Sequence, residues 1–158
     1  MRAPTGIAEI TKFYGDPTPF IRDDGTISPL WEMRMVKVDL PGPLPLGWRP
    51  DVVVTAVRVN VVIAGETDAV LRAIHAAGLW TKLVTYDGGF AWRQQRGSSR
   101  LSMHGFGGAL DFNAATNHLG TKGDMDPEVV VIVEAHGWEW GGRWKRPDPM
   151  HWQFARGY

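Results

Sequence analysis

Apolar residues switch between strand-like and helix-like spacing from the middle of the chain onward. The run 52–64, VVVTAVRVNVVIA, is dense in β-branched residues and predicts a strand or a bent pair of strands. A helix is expected next, capped by Thr67 or Asp68 and ended by Gly78. The apolar stripe of this helix comprises Val70, Leu71, Ile74 and Ala77. The segment 79–86, LWTKLVTY, predicts a second strand.

The C-terminal part of the chain predicts one more helix and one more strand. Asp-Pro-Glu at 126–128 supplies an N-cap residue, a proline at the first helical position and an acid in the first turn. This helix is expected to run to about His136 and to stop at Gly137. The segment 151–154, HWQF, alternates as a last strand. Together these elements indicate an α+β fold in which helices pack on a small antiparallel sheet.

Residues 1–50 differ in composition from the rest of the chain. They hold eight of the eleven prolines, and the cluster 41–50, PGPLPLGWRP, is too broken for regular structure. A short helical pattern at about 7–13 and a short strand pattern at about 31–38 contain large apolar residues that can dock. We therefore expect one domain, residues 1–158, in which an extended N-terminal arm at 1–50 wraps around a core at 51–158.

Charge, cysteine content and length exclude several classes of protein. Seventeen basic and seventeen acidic residues cancel, so no electrostatic argument favours nucleic acid or an anionic membrane surface as a partner. The chain has no cysteine, so any metal must be held by His, Asp or Glu. A chain of 158 residues can bury a sizeable core without disulfides or oligomerisation, and a monomer is expected.

No segment has the pattern of a signal peptide or a membrane span. Residues 1–17 lack an uninterrupted apolar core. No later run approaches the roughly 18 apolar residues that are needed to cross a bilayer. We therefore expect a cytoplasmic protein that does not insert into membranes.

Candidate chemistry is concentrated in the segment 92–113 and near the C-terminus. His104 and Asp111 lie among closely spaced glycines and offer a nitrogen and a carboxylate oxygen, a pair suited to zinc. Their spacing is compatible with two adjacent strands. A catalytic zinc site uses three protein ligands and keeps a fourth position for water. His151 is the best candidate for the third ligand, and Asp148, three residues earlier, for a carboxylate base.

Two motifs in these segments resemble a known family. The pattern S-x-H-x-x-G-x-A-x-D begins at Ser102 and is followed by W-G-G-x-W at 140–144 and D-P-M-H at 148–151. In this order the motifs resemble the zinc peptidoglycan peptidases. These include VanY-like D-alanyl-D-alanine carboxypeptidases, VanX-like dipeptidases and phage L-alanyl-D-glutamate endolysins. The resemblance runs from about Val57 to Phe154 and implies a fold like that of hedgehog and D-Ala-D-Ala-peptidase domains.

The resemblance also implies a role for each candidate residue. The ligands of Zn²⁺ would be His104, Asp111 and His151. Asp148 would accept a proton from the attacking water and deliver it to the leaving amine. Arg93 would bind a stem-peptide carboxylate or the oxyanion of the tetrahedral intermediate, and Ser102 would hydrogen-bond the substrate backbone.

The predicted reaction is metal-assisted hydrolysis of an amide bond in the stem peptides of peptidoglycan. Two activities remain open, that of an L-alanyl-D-glutamate endopeptidase and that of a D-alanyl-D-alanine carboxypeptidase. A phage endolysin fits a protein without a signal peptide, because it waits in the host cytoplasm and acts on the wall after release. The alternative is a catalytically inactive zinc-containing module that binds the cell wall or has a structural role.

Each candidate residue also has a structural interpretation. Asp148 suits a turn before Pro149, and Arg93 belongs to a basic stretch with Arg96 and Arg100 that suits solvent or an anionic wall. Sites of His and carboxylate also admit divalent metals other than zinc. Structural roles are expected for the remaining histidines and for the tryptophans around the double glycine: His75, His118, His136, Trp138, Trp140 and Trp144.

Overall fold

The computed structural model describes residues 1–95 and 97–158 and has an α+β fold. Within these residues one sheet is formed by β1 (Met35–Leu46), β2 (Arg49–Asn60), β3 (Tyr86–Gly88), β4 (Ala109–Phe112), β5 (Glu139–Trp140) and β6 (His151–Gln153). The order across the sheet is β2, β1, β3, β4, β6, β5. Neighbouring strands are antiparallel except β1 and β3, which meet in parallel at Leu46 and Tyr86.

Helices pack against this sheet and confirm the predicted class. They are α1 (Gly6–Tyr14), α2 (Pro29–Glu32), α3 (Ala64–Ala76) and α4 (Pro127–Ala135). The helix α3 lies against β1 and also contacts α4. Among the described residues, no helix combines the length and the apolar character that a membrane span requires.

The prediction that residues 41–50 lack regular structure is wrong. β1 continues through the prolines to Leu46, and a turn at Gly47 leads into β2. Proline has no N–H to donate to a strand ladder. The prolines are tolerated because the register with β2 shifts between Asp39 and Leu44 and again after Pro45. β1 lies between β2 and β3, so it is part of the sheet and not of an arm outside a core at 51–158.

The remainder of the N-terminal segment docks through large aromatic residues, as its pattern predicts. The predicted helix at about 7–13 corresponds to α1, where Tyr14 is buried and its Oη donates to the carbonyl of Phe154 at 2.8 Å. Trp31 lies in α2 and not in the predicted strand. Its indole N–H donates to the carbonyl of Gly105 at 3.0 Å, which ties this segment to the loop that carries His104.

The predicted helix after β2 is confirmed, but it begins earlier than expected. A short 3-10 turn, Val61–Ile63, leads directly into α3, so Thr67 and Asp68 lie inside the helix and do not cap it. Thr67 is buried, and its hydroxyl donates to the carbonyl of Ile63 at 2.8 Å. Gly78 has the predicted left-handed conformation, with φ of 74°. Ala77, in contrast, is exposed.

The prediction of a strand over 79–86 is wrong except at its last residue. A 3-10 turn occupies Trp80–Lys82, and β3 begins only at Tyr86. The side chain of Asn113 takes the place of a strand partner here. Its oxygen accepts the backbone N–H groups of Val84 at 2.7 Å and Thr85 at 3.2 Å. A long-range side-chain contact of this kind leaves no local signal in the sequence.

The helix α4 and the strand β6 match their predictions closely. Asp126 caps α4 by accepting the N–H of Glu128 at 2.9 Å, and Gly137 follows the helix with φ of 83°. In the centre of the sheet, the rings of Phe112 on β4 and Trp152 on β6 pack 4.6 Å apart. The two strands are therefore held together by buried aromatic packing as well as by their backbone hydrogen bonds.

Candidate metal centre and adjoining cavity

Asp111 and His151 are brought together by strand pairing. They are direct cross-strand partners on β4 and β6, and neighbours of this kind have side chains on one face of a sheet. The Nδ1 atom of His151 lies 2.9 Å from Oδ1 of Asp111. Both side chains are buried, with residue exposures of 6 % and 8 %.

His104 reaches the same point from a turn at 103–107 and not from a second strand, which corrects the expectation of two adjacent strands. Gly107 makes this turn possible. It has φ of 69°, and a Cβ atom there would come within 2.8 Å of the backbone nitrogen of Asn60. The carbonyl of Gly107 accepts the N–H of Asn60 at 2.9 Å, which fixes the turn against the end of β2.

The three predicted ligand residues form one compact cluster. Nε2 of His104 lies 3.1 Å from Oδ2 of Asp111 and 3.1 Å from Nδ1 of His151. One ligand atom from each residue lies within 4.8 Å of the other two. The structure thus brings together the residues that the sequence separates by up to 47 positions.

The outer nitrogen of each histidine is held by a protein acceptor. Nδ1 of His104 donates to the carbonyl of Gly89 at 2.7 Å. Nε2 of His151 donates to Oε1 of Gln153 at 3.2 Å, while the amide nitrogen of Gln153 faces Glu139 and the carbonyl of Ala155. These contacts place a proton on each outer nitrogen and leave the inner nitrogens as lone-pair donors.

The orienting groups were missed from the sequence. Gly89 acts through its backbone, which no residue type reveals. Gln153 did leave a signal, because it lies two residues after His151 in an alternating strand, and residues two apart share a face.

Burial and charge act against each other in this cluster. Burial alone would raise the pKa of Asp111, but the charges and hydrogen bonds of His104 and His151 hold it far below its usual range. Burial would lower the pKa of His151, yet the hydrogen bond and charge of Asp111, together with the charge of Asp148, raise it above its usual value. The carboxylate of Asp111 is therefore ionised, and a proton on His151 competes with any cation.

The donor set fits a divalent metal. Two imidazole nitrogens and an ionised carboxylate point at one another, and such a group of lone pairs needs a proton or a cation among them. Ligands of this type suit zinc and other first-row divalent ions, and three protein ligands are the number used in catalytic zinc sites.

A cavity of about 240 Å³ opens beside the cluster. His151 and Asp111 form part of its wall, and the three other predicted functional residues line it as well: Arg93, Ser102 and Asp148. The structure thus places all six predicted site residues in or beside one cavity, with His104 behind its wall.

The backbone of Asp148 is held by hydrogen bonds to Gly141 and His151. Its N–H donates to the carbonyl of Gly141 at 2.9 Å, and its carbonyl accepts the N–H of His151 at 3.0 Å. A Cβ atom on Gly141 would lie 2.6 Å from the Asp148 carbonyl oxygen, so the first glycine of the W-G-G-x-W motif permits this approach. The half-buried Asp148 carboxylate is close enough to raise the pKa of His151.

Arg93 and Ser102 also line the cavity. Their backbones are joined, because the N–H of Ser102 donates to the carbonyl of Arg93 at 2.9 Å. The Ser102 hydroxyl oxygen accepts the N–H of His104 at 3.3 Å and so also supports the turn at 103–107. Arg93 is exposed at the cavity rim. Arg96, the other arginine of this stretch, lies outside the described residues.

Residues 96–154 match the family model described as D-alanyl-D-alanine carboxypeptidase. The matched range contains the cluster of His104, Asp111 and His151 as well as Asp148, and it ends just after β6. Searches of curated proteins and of solved structures gave no match. The family match supports a peptidase, and thus a hydrolase, and the cluster of His104, Asp111 and His151 could hold a metal ion.

The residues that were expected to be structural lie outside the ligand cluster. His75 and His118 are exposed, and Nδ1 of His136 contacts the carbonyl of Ile132 at 2.8 Å. Trp138 is fully buried in the core. Trp144 lines the cavity, with its ring 5.4 Å from that of His151. These tryptophans form core and cavity wall, as predicted.

Proposed function

We propose that this protein is a zinc-dependent peptidase that hydrolyses an amide bond in the stem peptides of peptidoglycan. The observation that carries the proposal is the convergence of His104, Asp111 and His151 at the wall of a cavity, within the range that matches the peptidase family. A metal-assisted hydrolase needs this combination of a three-ligand centre and space for substrate beside it.

The proposed ligands are Nε2 of His104, the carboxylate of Asp111 and Nδ1 of His151. When bound, zinc lowers the pKa of a water molecule and polarises the scissile carbonyl. The hydrogen bonds from the outer histidine nitrogens to Gly89 and Gln153 favour the neutral tautomers whose inner nitrogens carry the lone pair, and they aim these nitrogens at the centre.

Asp148 is proposed as the general base. It lines the cavity next to His151 but is not one of the three clustered ligands, as this role requires. Its carboxylate would accept the proton of the attacking water and then deliver it to the leaving amine. The backbone contacts with Gly141 and His151 hold Asp148 in place for both transfers.

Arg93 and Ser102 are proposed to bind the substrate. The planar guanidinium of Arg93 can make a two-pronged contact with a carboxylate or with the oxyanion of the tetrahedral intermediate. The Ser102 hydroxyl oxygen accepts from the backbone of His104, which leaves its O–H free to donate to a substrate carbonyl.

The proposed substrate is a peptide, in line with the family match. The balanced charge of the chain gives no electrostatic argument for nucleic acid or an anionic membrane surface as a partner. Both the L-alanyl-D-glutamate and the D-alanyl-D-alanine bond are candidates. We further propose that a monomer acts on the cell wall after release from the cytoplasm, as a phage endolysin does.

Digestion of purified peptidoglycan tests this function. Zinc-loaded protein and a chelated control are incubated with the wall, and the released fragments are identified by mass spectrometry. Free D-alanine identifies a carboxypeptidase, and stem peptides with a new N-terminal D-glutamate identify an endopeptidase. Intact wall with zinc-loaded protein contradicts the proposal and favours an inactive wall-binding or structural module.

A further inference from the structure

A second and larger cavity lies beside the candidate active site. Its volume is about 910 Å³, and we call it the N-terminal groove. One wall comes from the chain before residue 26 and the other from residues 92–94 and 99–101. The residues that define its chemistry are Ile7, Ile21, Trp92, Arg93, Arg100 and Tyr158.

The N-terminal groove adjoins the active-site cavity. Arg93 and Tyr158 line both spaces, so the two spaces meet at these two residues. The groove walls are also tied together. The indole N–H of Trp92 donates to the carbonyl of Gly25 at 3.0 Å, and Tyr158 Oη donates to the carbonyl of Leu101 at 2.6 Å.

The surface of the N-terminal groove combines apolar and cationic groups. Ile7 and Ile21 stay 54 % and 45 % exposed. Among residues 1–95 and 97–158, neither Arg93 nor Arg100 has an ion-pair partner. The acid in the lining, Asp16, accepts the N–H of Thr18 at 2.9 Å. Two free guanidinium groups therefore give the groove a surplus of positive charge.

We propose that the N-terminal groove binds an anionic segment of the same peptide whose scissile bond enters the active-site cavity. The inference rests on the proposed function and adds to it a second binding region, for the part of the peptide that lies away from the scissile bond. The guanidinium groups would pair with carboxylates of that segment, and the isoleucines would cover its aliphatic parts. The N-terminal wall lies outside residues 96–154, so the family match does not supply this feature.

Two synthetic peptides with the same scissile bond test the inference. The short peptide has a single residue on each side of the bond, and the long peptide adds residues that carry two further carboxylates. The variants Ile21→Glu and Arg100→Glu alter groove residues that do not line the active-site cavity. Val131→Glu, at a position 63 % exposed on α4, and Arg49→Glu, with a side chain 63 % exposed, are the matched controls.

Both groove variants should lower kcat/KM for the long peptide about tenfold, because Arg100→Glu reverses a charged contact and Ile21→Glu places a negative charge beside the bound carboxylates. For the short peptide, kcat/KM of the groove variants should stay within about twofold of that of the unaltered protein. The control variants should stay within about twofold on both peptides. Equal losses on both peptides, or no loss on either, would overturn the inference. A loss seen only when the long peptide carries its sugar would assign the groove to glycan and also overturn it. If the unaltered protein cleaves neither peptide, the proposed function itself is wrong, and the inference falls with it.

Discussion

Gln153 accepts a hydrogen bond from Nε2 of His151 at 3.2 Å while its amide nitrogen donates to Glu139 at 3.3 Å. The side chain of Gln153 is buried. It therefore connects the β5–β6 pair to the ring of His151, the proposed third metal ligand. Groups of this kind determine which ring nitrogen carries the proton and how the ring faces the metal.

Replacing Gln153 with leucine should weaken zinc binding by roughly tenfold to a hundredfold, because the ring of His151 loses its outer partner. Competition with a chromophoric chelator measures the affinity, and circular dichroism checks the fold. In the double variant Gln153→Glu, Glu139→Gln, the introduced glutamate accepts from His151 and the introduced glutamine donates to that glutamate. The double variant should therefore recover most of the zinc affinity. Equal zinc affinity in Gln153→Leu and the unaltered protein would show that this contact does not orient the ligand.

Asp148→Asn should keep the metal and lose hydrolysis. The amide cannot accept the proton of the attacking water, so kcat should fall by roughly a hundredfold or more. Zinc content and hydrolysis are measured on the same preparation. Asp51→Asn, on an aspartate whose side chain is 75 % exposed, is the control and should leave both unchanged. Undiminished hydrolysis would remove Asp148 from the mechanism, and loss of zinc would make it a ligand.

Zinc affinity should fall as the pH decreases. Against the opposing effect of burial, Asp111 and Asp148 raise the pKa of His151 above its ordinary value of about 6.5. Binding must therefore displace a proton from His151 at and below that raised pKa. Asp111 stays ionised near neutral pH because its pKa is strongly lowered, so its protonation adds nothing to the pH dependence of zinc affinity.

Competition titrations between about pH 5.5 and 8.5 measure this dependence. The logarithm of the affinity should level off at high pH and fall by about one unit per pH unit below the His151 pKa. The variant His118→Gln changes an exposed histidine and should show the same profile. A pH-independent affinity would contradict the role of His151 as a ligand.

Removing the metal should leave the chain folded but less stable. The buried aromatic packing of Phe112 and Trp152 does not depend on an ion, and neither does the pairing of β4 with β6. A ligand at about a thousandfold excess over its Kd adds roughly 4 kcal/mol of stability. Chelation should therefore lower the Tm while the far-ultraviolet circular dichroism is retained. Complete unfolding on chelation would indicate that the metal has a structural role.

The sequence predicted which side chains cluster better than it predicted the strands. Spacing, residue type and family resemblance identified His104, Asp111 and His151, and the structure places them together. Helix boundaries with local capping chemistry, such as Asp126 at the start of α4, were also predictable because the capping contact spans two residues.

Features that depend on distant contacts were not predictable. The segment 79–86 has a strand-like pattern, but Asn113 occupies the backbone N–H groups that a strand would use. The proline cluster joins the sheet because β2 shifts its register to accommodate it. The turn that carries His104 depends on the close approach of Gly107 to Asn60, which are far apart in sequence.

The most direct measurement follows hydrolysis of a synthetic stem peptide and zinc content together, before chelation, after chelation and after zinc is restored. The peptide contains both candidate bonds. We expect one zinc ion per chain, loss of hydrolysis on chelation and recovery when zinc returns, with neither zinc nor activity in His104→Ala. Hydrolysis that persists without metal, or zinc-loaded protein that cleaves neither bond, would contradict a zinc-dependent peptidase.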